Sequence, residues 1–219
     1  MIESDFAPPE TKRMTRTKII CTIGPAVNSV EKILQLIDAG MDVARLNFSH
    51  GTHEEHLKCI EMIKEARTKA KKPVAILLDT KGPEIRLGKV PKAGIEVQPG
   101  QRIWLVKDQS EGTSQQIPVL PAFVLGQLEV GTHLLIDNGY IQARIVNTST
   151  DGVEIEFINH GLILSSKGVN IPNVELNLPA LTEKDEDDIR FGCENDIDII
   201  AASFVRCALH VLAIRELVV

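Results

Sequence analysis

Several things are missing from this sequence, and each absence removes a class of protein. No CxxC pair occurs among the four cysteines, Cys21, Cys59, Cys193 and Cys207. Scattered thiols of this kind point to a reduced, cytoplasmic protein rather than a disulfide framework or a zinc site. Basic residues are not in excess: 24 Lys and Arg stand against 30 Asp and Glu, a net charge of −6. A general nucleic-acid footprint would need the opposite balance, although a local basic pocket for phosphate remains compatible. No apolar run approaches the roughly 20 residues that span a bilayer, so no membrane partner is expected. The opening MIESDFAPPETKRMTR lacks the apolar stretch of a secretory signal and reads as a loose tail over residues 1–14. There is neither GxxxxGK[ST] nor GxGxxG, which removes P-loop and dinucleotide folds by motif. No internal repeat or low-complexity tract is present.

What remains is globular, with 43% apolar and 25% charged residues over 219 positions. The first part alternates strand and helix signals. TKIICTI (17–23) is apolar and β-branched and stops at Gly24-Pro25. Asn28, with Glu31 three positions on, is a candidate cap for a helix carrying Val30, Ile33, Leu34 and Ile37 on one face and ending at Gly40. Residues 42–48 read as a second strand. Thr52 and Glu55 then form a capping box for a helix over 53–71, and PVAILLDT (73–80) is a third strand. This β-α-β-α-β order predicts an α/β fold.

After Gly88 the rhythm changes. Short alternating stretches over 95–177, parted by QPGQ, DNG and TSTDG, predict an inserted antiparallel β domain. The helix–strand rhythm returns at Thr182 with an acidic helix start. The run Glu183 to Asp188 is expected to be solvated there, favoured by the helix dipole. A fourth core strand over 196–205 and a helix from Ala208 follow. Domain limits are therefore expected at 15–87, 88–178 and 179–219, the first and last belonging together. Four strands make half of an eight-stranded barrel, with two open parallel edges, so the pattern leaves either a smaller open sheet or a barrel for which this chain lacks material.

Polar groups gather where the strands end. Strand two ends in Arg45-Leu46-Asn47-Phe48-Ser49-His50, strand three in Asp79-Thr80-Lys81-Gly82-Pro83-Glu84-Ile85-Arg86, and strand four in Ser203-Phe204-Val205-Arg206. In parallel α/β folds the site lies at the carboxyl ends of the strands. Asn, Ser, Asp and Thr oxygens suit a hard cation, and Arg45, Arg86 and Arg206 are planar donors matched to phosphate. Cation plus arginine is the equipment of phosphoryl transfer. Taken singly, each group has a plainer reading. Asn47 and Ser49 serve equally as turn or cap residues and Asp79-Thr80 as an Asx turn. Arg45 and Arg86 could form salt bridges, and Ser203 could be a satisfied core hydroxyl. Only their convergence favours function. HGTHEEH, with His50, His53 and His56, has neither zinc spacing, and a solvated helix start with a turn histidine explains it better. Lys167-Gly168 in SSKGVNIP could approach phosphate or simply turn the chain.

The stretches TKIICTIGPA, MDVARLNFSHG, ILLDTKGPEIR, SSKGVNIPNVELNLPALTEKD and DIIAASFVR, in this order, resemble pyruvate kinase from about Thr15 onward. The resemblance implies a (β/α)8 barrel, incomplete in this chain, with a small β-barrel lid inserted after the third strand. It implies phosphoryl transfer from phosphoenolpyruvate to ADP, giving pyruvate and ATP, in a typically homotetrameric cytoplasmic enzyme. By similarity Asn47, Ser49, Asp79 and the Thr80 carbonyl would bind K+. Arg45 would be catalytic and bind the transferring phosphate, while Arg86 and Lys167 would contact nucleotide phosphates. Glu84 implies dependence on a monovalent cation. The family's Mg2+ carboxylates, its phosphoryl-transfer Lys and its enolate-protonating Thr have no counterpart in these 219 residues. The alternative is therefore a truncated, non-catalytic remnant.

Overall fold

The computed structural model describes residues 16–108 and 110–218. Their chain order begins β1 (Ile20–Thr22), α1 (Val30–Ala39), β2 (Val43–Asn47), α2 (His53–Ala70) and β3 (Ala75–Asp79). Nine short strands follow: β4 (Arg86–Leu87), β5 (Ile95–Val97), β6 (Arg102–Val106), β7 (Gln116–Leu120), β8 (His133–Ile136), β9 (Ile141–Thr148), β10 (Gly152–Phe157), β11 (Gly161–Ile163) and β12 (Val169–Asn170). Then come α3 (Glu183–Glu194), β13 (Ile199–Ala201) and α4 (Ala208–Leu217). The described residues divide into two units, one of 16–81, 184–203 and 217–218, the other of 82–183 and 204–216. Most of α4 thus falls in the second unit, where the sequence places it with the strand before it.

In the first unit β1, β2, β3 and β13 form a parallel sheet in sequence order. That order, with helices between the strands, is the α/β arrangement of a (β/α)8-type barrel, of which this chain holds four strands. The helices form for local reasons. Ser29, rather than the expected Asn28, caps α1: its hydroxyl accepts from Lys32 N at 3.3 Å, and Gly40 closes the helix at φ +111°. Asn28 has φ −96° and ψ 47°, outside the extended backbone that a cap residue adopts, so the cap falls one position later. At α2 the capping box forms as expected, Thr52 Oγ1 accepting from Glu55 N (3.3 Å) and Thr52 N donating to Glu55 Oε2 (2.9 Å). Between helices and sheet lies a core of Ile33, Ile37, Leu46, Phe48, Ile60, Ile63, Ile76 and Leu78, none more than 1% exposed.

Aspartates fasten the amino ends of the strands. Asp42 Oδ2 accepts from Ile19 N (2.8 Å), and Asp198 Oδ2 accepts from Ile76 N (2.8 Å) and Arg67 Nη1 (3.3 Å). The sheet ends at β1 and β13, where Ile20 is 53% and Ile199 40% exposed. Among the described residues no helix is long and apolar enough to cross a membrane.

The second unit is a β barrel with its own apolar interior, built on Val97, Ile103, Leu105, Ile117, Ile145, Ile155 and Phe157. Seven strands run in the order β12-β8-β9-β10-β6-β7-β4. The two ends of that row then meet: Arg86 bridges Gly168, Leu87 N donates to Lys167 O (2.8 Å), and Val169 N donates to Ile85 O (2.8 Å). Most pairs are antiparallel, as the alternating pattern predicts. The exception is β6 with β7, which run parallel.

Candidate functional site

In the first unit the site grows from strand register. Asn47 pairs with Asp79 across β2 and β3, Arg45 with Thr22 across β1 and β2, and Asp79 with Ala201 across β3 and β13. Side chains two apart share a face, so Arg45 and Asn47 project on one side while Leu46 (1% exposed) and Phe48 (0%) pack into the core on the other. Arg45 and Asp79 are joined as an ion pair. Arg45 Nε donates to Asp79 Oδ2 at 2.8 Å, Nη2 makes a second, shorter contact with the same oxygen, and Nη1 donates to Thr22 Oγ1 at 2.6 Å. The salt-bridge reading of Arg45 therefore holds, and it places a guanidinium on the carboxyl edge of the sheet.

The other residues of this edge have defined partners. The Asn47 amide oxygen accepts from Ser49 N (3.1 Å), an Asx turn that sets how Ser49 leaves the strand. Asp79 Oδ1 lies 3.5 Å from the Ser203 hydroxyl. Thr80 is buried. Its backbone N–H donates to Ala201 O (3.1 Å), and its hydroxyl accepts from Ser203 N (3.0 Å). The Asp79 carboxylate meets Arg45 through Oδ2 and Ser203 through Oδ1. Asn47 and Asp79 are register partners at the carboxyl ends of β2 and β3, and Ser49 and Thr80 follow them in the chain. Uncharged oxygens with one carboxylate fit a hard monovalent cation in their chemistry. Among the described residues no group of three or more His, Cys, Asp or Glu is gathered as for a metal ion, and this oxygen set is of another composition.

Beside this edge a cavity of about 980 Å3 opens between the β1–α1 loop and α2, lined by Pro25, Asn28, Asn47, His50, Lys58 and Met62 among others. The sequence flagged Gly24-Pro25 only as a strand stop, and no periodicity could have placed it against α2.

The three histidines have structural partners. His56 is buried, its ring stacked 3.9 Å from that of Phe48, and its Nε2 donates to His50 O at 2.9 Å. Burial pulls its pKa below the ordinary 6.5 despite that hydrogen bond. His53 Nε2 meets Asp188 Oδ1 at 2.7 Å. The expectation of a solvated helix start fails for His56, and it fails again in α3. There Asp185 (0% exposed) and Asp188 (1%) are buried, because helical spacing turns every third or fourth member of an acidic run inward.

In the second unit the closing seam brings Arg86 and Lys167 to one place. Arg86 Nε donates to Glu84 Oε2 (2.6 Å) and Nη1 to Ser166 O (2.7 Å), while Lys167 Nζ donates to Asp137 Oδ1 (2.9 Å). Glu84, Arg86, Asp137 and Lys167, with Asn138 and Phe204, line a cleft of about 300 Å3. Arg206 is engaged elsewhere: its guanidinium donates to the carbonyls of Leu176, Leu178 and Pro179 at 2.7–3.1 Å, so its donors serve the chain rather than a phosphate.

Comparison with known proteins agrees with this architecture. The profile of the family "Pyruvate kinase, barrel domain" matches residues 14–219. A pyruvate kinase of Chlamydia trachomatis is 50% identical over 204 residues, 93% of this chain and 42% of that protein. That of Geobacillus stearothermophilus is 47% identical over 204 residues, 92% of this chain and 35% of its own. A Staphylococcus aureus pyruvate kinase is 45% identical over 206 residues, 93% of this chain and 35% of that protein. The chain spans less than half the length of these relatives. With a profile match over nearly all its residues, it belongs to the pyruvate kinase family.

Proposed function

We propose that this chain carries four barrel strands and the lid domain of a cytoplasmic, typically homotetrameric pyruvate kinase acting in glycolysis. The reaction breaks the phosphorus–oxygen bond of phosphoenolpyruvate, forms one to a terminal oxygen of ADP, and releases pyruvate once the enolate takes a proton. One observation carries the reading: Arg45 is held on the carboxyl edge of the sheet by Asp79, where its fixed charge can meet a phosphoryl group without reorganising.

Asn47, Ser49 and Asp79 would hold K+ through side-chain oxygens and Thr80 through its carbonyl. The ion would supply positive charge beside the reacting phosphate. Arg45 is the catalytic residue of this part, orienting and neutralising the transferring group. Arg86 and Lys167 would bind nucleotide phosphates, leaving Glu84 and Asp137 as they do so. Mg2+ belongs to the family's reaction, and no residue of this chain is assigned to it.

The experiment is an NADH-coupled assay for pyruvate on the 219-residue chain with K+ and Mg2+. K+-dependent turnover that Arg45→Met abolishes is the result expected of an active kinase. A second reading, that these 219 residues alone do not turn over, is favoured by β1 and β13 standing as the edge strands of the four-stranded sheet. Absence of turnover at saturating substrates, with a folded chain, supports that reading against the first.

A further inference from the structure

One cluster on the first unit is not used by the reaction above. It lies behind the loop that follows β2. Asp188 of α3 is 1% exposed, and both its oxygens are engaged: Oδ1 accepts from His53 Nε2 at 2.7 Å and Oδ2 from Lys184 Nζ at 2.6 Å. The same ammonium donates to the main-chain carbonyl of Phe48 at 3.0 Å. Lys184 thus joins a buried carboxylate to the peptide group between Phe48 and Ser49.

The loop is fixed on its other sides as well. Phe48 N donates to Asp79 O (3.0 Å), and the Phe48 ring stacks on His56. His56 in turn holds the His50 carbonyl. The His53 ring stacks 4.3 Å from that of Phe191 on α3, which keeps α2 and α3 in register with the loop. Of these fasteners only Lys184 grips the carbonyl of the peptide whose nitrogen is that of Ser49. A buried carboxylate left without its cationic partner is costly, so the arrangement is held firmly.

We infer that Lys184 and Asp188, with His53, are positioning residues for the cation-binding loop, acting through the Phe48 carbonyl to set where Asn47 and Ser49 present their oxygens. The inference rests on the proposed reading of Asn47, Ser49, Asp79 and Thr80 as the K+ site. Partners one step removed from metal ligands typically change affinity by about 10–100-fold when lost. Lys184 and Asp188 touch neither substrate nor cation.

The test uses thallium(I), a K+ surrogate, bound to the 219-residue chain and followed by 205Tl NMR, with a thermal melt of every variant. The wild-type chain should bind Tl+ saturably and release it to K+, and Asn47→Ala should abolish binding. Lys184→Met should weaken Tl+ binding about ten-fold or more, at a temperature where the variant is still folded, and Lys184→Arg should restore most of it. Asp188→Asn, which keeps the shape of the side chain, should weaken binding in the same direction. If wild-type and Asn47→Ala chains behave as stated while folded Lys184→Met and Asp188→Asn bind Tl+ like wild type, the cluster is merely structural and the inference fails. Should Lys184→Met not fold, Asp188→Asn and Lys184→Arg decide: wild-type affinity in Asp188→Asn overturns it. No saturable Tl+ binding by the wild-type chain removes the cation reading, and this inference with it.

Discussion

Arg45 on β2 and Asp79 on β3 are joined through Nε at 2.8 Å, although the residue directly opposite Arg45 in the strand register is Leu77. The guanidinium leans two residues toward the carboxyl ends of the strands, so both charges stand at the edge where ligands bind in parallel α/β folds. The pair is partly exposed, which keeps its stabilising effect modest, while its geometry fixes the direction of the donors. Asp79→Ala removes the acceptor, and loss of a partly exposed ion pair of this kind costs about 1 kcal/mol. Urea unfolding should therefore show a lower midpoint with an unchanged slope. Asp79→Asn should retain most of the stability yet lose Tl+ binding, separating the structural role of the carboxylate from its charge.

The entry into α2 makes a second prediction. Gly51 has φ +82°, and a Cβ there would sit 3.1 Å from Glu55 Oε2 and 3.3 Å from His56 Nε2. Gly51→Ala meets the left-handed backbone penalty of about 1–2 kcal/mol and presses on the capping box as well. Thr52→Ala removes only the cap, at a cost of about 1 kcal/mol. Chemical denaturation of both variants should place Gly51→Ala as the more destabilised. The reverse order would mean that the loop relaxes freely and is not held as described.

In the second unit the critical glycine is Gly152. It pairs with Val106 across β10 and β6, and an added Cβ would fall 2.0 Å from the carbonyl oxygen of the preceding residue, Leu105. No rotamer can relieve a clash with backbone, so the strands must part. Forced overpacking typically costs about 1–3 kcal/mol and occasionally more. Gly152→Ala should lower the melting temperature, while Gly100→Ala, with nothing within 4 Å, should be limited by its φ of +79° alone.

Much of this was written in the sequence where the pattern is local. The capping box at Thr52, the alternation of Leu46 and Phe48 with Arg45 and Asn47, and the change from helix–strand to strand–strand rhythm after Gly88 all follow from periodicity. What could not be read depends on contacts far apart in the chain. Asp185 and Asp188 sit in an acidic run that looks solvated, and only the packing of α3 on α2, more than 130 positions earlier, turns Asp188 inward to His53. Arg206 carries the same chemistry as Arg45, but three carbonyls about 30 residues upstream accept from three of its five N–H groups. Arg86 and Lys167 come together only because β4 closes against the start of β12, a pairing of short strands that no local signal marks.

His56 gives a prediction with a defined pH window. Its pKa is lowered, chiefly by burial, and the neutral ring donates through Nε2 to the His50 carbonyl while stacking on Phe48. In the unfolded chain the same imidazole titrates near its ordinary value of 6.5. As pH falls through that value the unfolded state takes up a proton that the folded state refuses, so stability drops. The loss is complete only below the lowered, folded-state pKa. Asp42 acts in the same direction at lower pH. The hydrogen bond from Ile19 N holds its carboxyl below the ordinary 3.8, so its contribution fades only under more acidic conditions. Urea unfolding of wild type and His56→Gln at pH 7.5, 6.5 and 5.5 should therefore show a gap that narrows steadily as the pH falls, since the glutamine variant lacks this proton linkage. A gap constant across that range would place the His56 ring outside the buried position next to Phe48, and with it would loosen the loop that presents Asn47 and Ser49.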